Sequence, residues 1–116
     1  MTLGQRWIGN VTIIDIDGRV TDDDDADILL RDTLKDLVTQ GRLSLLVNLE
    51  GVPSIDSAAL GAIVSAYASA RRQGGTLKLL RVSARVHALL AITRLLSVFE
   101  IFDSEAEALT SFATPV

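Results

Sequence analysis

Apolar and polar positions along this chain follow two periods, and the changes between them mark the elements. From Trp7 to Ile16 the pattern gives two short strand-like pieces, with Gly9-Asn10 as the turn between them. In the second piece Val11, Ile13, Ile14 and Ile16 are apolar while Asp15 and Asp17 are polar. That is roughly the alternation of a strand with one covered face, closed by Asp17-Gly18. Helical spacing begins after Asp25, with Ala26, Leu29, Leu30, Leu34, Leu37 and Val38 on one face and Gly41 as the stop. The stretch that organises the rest runs from Leu43 to Gly75. An apolar run, Leu43 to Leu49, ends in the turn chemistry of Gly51 and Pro53. After Asp56 and Ser57 the spacing becomes helical, with Leu60, Ile63, Val64, Tyr67 and Ala68 on one face. Gly74 and Gly75 stop that helix, and Thr76 to Leu80 is a second apolar run. Strand, helix and strand over this length form a βαβ crossover, which makes the two strands parallel. Ser83 is positioned to cap a third helix through Arg94, with Val86, Leu89, Leu90 and Ile92 inward. Val98 to Phe102 reads as the last strand. Ser104-x-x-Glu107 fits a capping box that opens a closing helix through Phe112, leaving Ala113 to Val116 to fray.

The order β-β-α-β-α-β-α-β-α predicts an α/β fold: an N-terminal β-hairpin, then a mostly parallel or mixed central sheet flanked by helices. A length of 116 residues suits one domain spanning 1–116. Hydrophobic residues make up 48% and charged residues 22%, which is a globular balance. Apolar runs reach only about seven residues, far below the roughly 18 that a membrane span requires, so direct membrane insertion is not expected. The N-terminus lacks the basic-then-apolar pattern of a signal peptide, and the chain has no cysteine. Cytoplasmic is the default expectation. The net charge of -4, with Arg71-Arg72 the only adjacent basic pair, argues against a nucleic-acid partner. An acidic surface suits a protein partner with a basic face.

Catalytic chemistry finds little support. The single histidine, His87, falls mid-helix among apolar neighbours, and no G-x-S-x-G elbow surrounds Ser57, so a Ser57-His87-Asp triad lacks its frame. Metal sites of His and Cys are excluded by count, and no phosphate loop of the Walker type is present. Neither an enzyme nor a cofactor is expected. The acidic run Asp22, Asp23, Asp24 and Asp25 precedes a helix, where the helix dipole stabilises negative charge. It is not a calcium loop: counted from Asp22, the positions that need Gly and Glu hold Asp27 and Thr33. Asp56 and Ser57 stand where α/β folds concentrate function, at the C-terminal end of a parallel strand. Both are also favoured simply as helix caps.

The string V-N-L-E-G-V-P-S-I-D-S-A-A-L-G around these residues resembles the signature of the STAS domain family, and in particular its anti-sigma factor antagonist (SpoIIAA-like) branch. Members carry an aliphatic strand ending in D-L-S-G-V or similar, then an I-D-S-S/T-G-L-G box that opens a helix. The segments G-G-T-L-K-L-L and L-L-S-V-F-E-I-F-D-S-E-A-E-A-L extend the likeness over nearly the whole chain. In that branch the serine after the aspartate is phosphorylated by an anti-sigma factor that is also a serine kinase, and Ser57 occupies this position. The resemblance implies partner switching in transcription regulation: the unphosphorylated chain binds the kinase, phosphorylation of Ser57 releases it, and a PP2C-type phosphatase resets it. The expected contact residues are Asp22, Asp23, Asp24, Asp56, Ser57 and Leu60, on a monomer or weak dimer. Two departures stand out, Asn48 in place of the usual aspartate and Ala58-Ala59 in place of S-G or T-G. The alternative is a STAS adaptor or scaffold subunit of a signalling or transport complex that is never phosphorylated.

Overall fold

A computed structural model describes residues 1–20 and 25–113. The elements in chain order are β1 (Thr2–Ile8), β2 (Val11–Asp17), α1 (Ala26–Thr39), β3 (Ser44–Gly51), α2 (Ser57–Arg72), β4 (Thr76–Leu80), α3 (Ala84–Ile92), β5 (Ile101–Phe102) and α4 (Glu105–Ala113). The strands form one five-stranded sheet in the order β1-β2-β3-β4-β5. β1 and β2 are the antiparallel hairpin, turning at Gly9-Asn10, and every later pairing is parallel. The crossover between β3 and β4 is therefore as its spacing predicts, with Leu45 beside Leu77 and Val47 beside Leu79.

Both faces of the sheet are covered. Ile14, Ile16, Leu45, Val47, Leu49, Leu77 and Leu79 point to α1, α2 and α3 and form the main core with Leu30, Leu34, Ile63 and Leu90. The alternate residues Val11, Ile13, Leu46 and Leu80 form a smaller core against Ala108 of α4. This double covering corrects the reading of β2 as half-covered: Val11 to Ile14 are all buried, because α4 returns over the second face. Two inward assignments also change. Leu29 is half exposed, and Ile92, at the last turn of α3, is almost fully exposed. The last strand is shorter than Val98–Phe102, because hydrogen bonds from Val98 and Phe99 to the Leu95 carbonyl spend the preceding residues on turns. α3 likewise stops at Ile92, and Arg94 takes a positive φ of 62°. Of the stretch expected to fray, Ala113 is the last residue of α4; the rest, with Asp22, Asp23 and Asp24, lies outside the described residues.

Candidate functional site

The site is built where the chain leaves β2, β3 and β4. Gly18 donates its amide to the Gly51 carbonyl (2.8 Å), Val20 to Ser54 (3.3 Å), and Asp56 to Val20 (3.1 Å). Val20 and Ile55 form an isolated parallel bridge. A Cβ on Gly51 would meet the Asp17 carboxylate, which would have to swing aside. The loop after β4 joins through Ser83, whose hydroxyl donates to the Pro53 carbonyl (3.0 Å) while accepting the Val86 amide as the cap of α3. Backbone bonds and one serine thus fix the segment that leads into α2.

Asp56 and Ser57 divide the tasks between them. Asp56 is the N-cap: it is extended (φ -94°, ψ 178°) and its carboxylate accepts the Ala59 amide at 2.8 Å. Ser57 is the first helical residue, and it is exposed. Among the described residues nothing hydrogen-bonds its hydroxyl, and no carbonyl accepts from the amides of Ser57 or Ala58. The side chain is therefore presented to solvent at the positive end of a 16-residue helix, with two free amides beside it. Ala58 and Gly61 are exposed on the same helix end. Leu60 is not part of this surface; it is 5% exposed and packed in the main core.

Asn48 acts on the other face of the sheet. It alternates with Leu46, pairs with Asp15 and Leu80, and so points to the side that carries α4. Its amide donates to Asp15 Oδ1 (2.7 Å) and its carbonyl accepts the Glu50 amide (3.1 Å). Arg6 grips the same Asp15 with two hydrogen bonds (2.6 and 2.9 Å) and reaches Glu105 of α4 at 2.6 Å. Hydrogen bonds from Arg6, assisted by Asn48 and opposed by partial burial, hold the Asp15 carboxyl below the usual carboxylate range. An aspartate at position 48 would set a second carboxylate against Asp15. The departure at 48 is thus explained by its neighbour at 15, and it lies across the sheet from Ser57. Sequence reading misses this cluster, because its members are 33 and 99 residues apart and no local period links them.

The STAS domain family model matches residues 6–108. The chain belongs to the STAS domain family. A candidate anti-sigma factor antagonist of Thermotoga neapolitana is 36% identical over 74 residues, covering 64% of this chain and 66% of its own length. The anti-sigma F factor antagonist of Paenibacillus polymyxa is 32% identical over 66 residues, covering 57% and 56%. These alignments span just under two thirds of the first relative and just over half of the second. The solved structure of the Bacillus cell fate determinant SpoIIAA in its phosphorylated form superposes with a TM-score of 0.77, covering 95% of this chain and 98% of that one. At 17% identity this likeness concerns the fold. Among the described residues, no helix of this STAS domain is long and apolar enough to cross a membrane.

Proposed function

We propose that this STAS protein is an anti-sigma factor antagonist that works in the cytoplasm by partner switching, with Ser57 as the phosphorylated residue. The observation that carries the reading is the separation of Asp56 from Ser57. A serine needed for the fold would be the cap; here the aspartate caps and the serine hydroxyl is free and exposed. A kinase can reach such a hydroxyl without unfolding the helix. The phosphate it adds would meet the free amides of Ser57 and Ala58 and the positive helix end, so the fold tolerates the product. Relatives named as anti-sigma factor antagonists, and the solved phosphorylated form of a protein with the same fold, support the same reading.

The partner face comprises Asp56, Ser57, Ala58 and Gly61, beside Val20, whose carbonyl accepts the Asp56 amide. We include Asp22, Asp23 and Asp24, which lie in the sequence between Val20 and α1, as further contacts for a basic partner. The occupant of this face is an anti-sigma factor with serine kinase activity and a basic docking surface, and a PP2C-type phosphatase removes the phosphate. Incubation with the cognate anti-sigma factor and ATP, followed by mass mapping, tests the assignment. One phosphate on Ser57, absent from Ser57→Ala, is expected. Phosphate on another residue would overturn the assignment to Ser57, and none at all would favour an unphosphorylated STAS adaptor.

A further inference from the structure

We propose that the free edge of β1 is a self-association surface, through which two copies pair antiparallel about a two-fold axis at Gln5. The two edges of the sheet differ sharply. β5 contributes only two residues, whereas β1 offers seven. In the β1–β2 hairpin the pair Ile8–Val11 flanks a two-residue turn and exchanges its backbone bonds. By alternation Thr2, Gly4, Arg6 and Ile8 direct their N–H and C=O groups to β2, while those of Leu3, Gln5 and Trp7 point outward.

Edge strands ordinarily carry a guard against pairing: a lysine, a proline, a bulge, an inward charge or very short length. β1 has no lysine, proline or bulge and is not short. Its sequence is TLGQRWI, and its one charged residue, Arg6, is engaged by Asp15 and Glu105. The irregularity in the sheet lies between β2 and β3. Trp7 is 54% exposed and Ile8 43%, so the strand also presents apolar surface.

The register follows from the strand itself. With the axis at Gln5, the outward-pointing backbone groups of Leu3, Gln5 and Trp7 meet those of Trp7, Gln5 and Leu3 of the second copy. Leu3 pairs with Ile16 and Trp7 with Thr12, so both side chains stand on the face of the main core. The second copy's Trp7 would cover Leu3, which already packs against that core. Arg6 falls opposite Gly4 of the second copy, and the two Arg6 side chains, diagonal neighbours on the α4 face, are each neutralised by Asp15 and Glu105 of their own chain. This self-complementarity selects a second copy rather than a foreign strand. Seven residues give an edge of about 23 Å, too little for a large interface, so the dimer is concentration-dependent.

Sedimentation velocity on the full chain from roughly 1 µM to 1 mM tests this. The wild type should shift from monomer to dimer within that range. Gln5→Lys and Gln5→Glu each place like charges directly opposite one another and should raise the dissociation constant at least about tenfold. Mixing the two variants should restore a heterodimer, which a merely misfolded variant would not do. A wild type that stays monomeric throughout, or a dimer that both variants leave intact, overturns the proposal.

Discussion

Two adjacent residues carry separable properties in this protein. Because Asp56 holds the Ala59 amide, Asp56→Ala should cost about 1 kcal/mol of stability in denaturant titrations. Ser57→Ala should stay within about 0.5 kcal/mol of the wild type, since nothing in the described structure bonds its hydroxyl. Sequence reasoning alone leaves the cap open between the two and would assign a cap's worth of stability to Ser57. The helix geometry removes that ambiguity. Asp15 supports a different kind of prediction. Its folded carboxyl titrates below the ordinary value, so its contribution is present above the unfolded pKa of about 4 and is lost as pH falls through the folded one. The stability gap between wild type and Asp15→Asn should therefore be open at neutral pH and narrow progressively under acid. A gap that does not change on acidification would mean that Arg6 does not hold the ionised form selectively.

At the level of elements, close approaches decide which substitutions matter. Gly75 sits against the Leu43 backbone where β3 and β4 begin, and a Cβ there would overlap the Leu43 carbonyl. Gly75→Ala should destabilise by about 2 kcal/mol, whereas Gly74, whose φ is 91°, is demanded by conformation rather than by space. α4 is held to β4 by Lys78, whose stem is buried. Its Nζ reaches Ser111 Oγ at 2.8 Å and lies 4.6 Å from the Phe112 ring centre. Lys78→Met should keep most of that packing, and Lys78→Ala should lose about 2 kcal/mol and speed hydrogen exchange in α4. The Gly9-Asn10 turn, the second strand, the βαβ crossover and each helix were legible in the sequence, because periodicity and turn residues are local signals, while Thr2 to Arg6 of β1 fell before the first piece read as strand. What was not legible depends on return paths. Burial of both faces of β2 needs α4 to come back over the sheet. The Val20–Ile55 bridge and the Ser83–Pro53 bond need loops from different crossovers to meet. Ser83 signalled its helix cap, and nothing in its neighbourhood signalled its second bond.

For the whole molecule, the strands' parallel order gathers the connections after β2, β3 and β4 at one edge, and the sequence between Val20 and Ala26 carries four consecutive aspartates. If this edge is the docking face, replacing Asp22, Asp23 and Asp24 with asparagine should slow association with a basic partner. It should also flatten the salt dependence of the rate, with less effect on dissociation. The switch proposed here rests on what a phosphate does to that face. It adds about -1.5 to -2 charges next to Asp56, on a surface the partner must desolvate. Burying that charge without a prepared arginine costs several kcal/mol, while the helix end keeps the fold intact. Titration of unphosphorylated and Ser57-phosphorylated protein against the cognate anti-sigma factor, with circular dichroism as the fold control, is the most direct test. Affinity should fall by orders of magnitude on phosphorylation, with an unchanged spectrum. Equal affinity of the two forms would contradict the account and leave Ser57 as an ordinary first-turn residue.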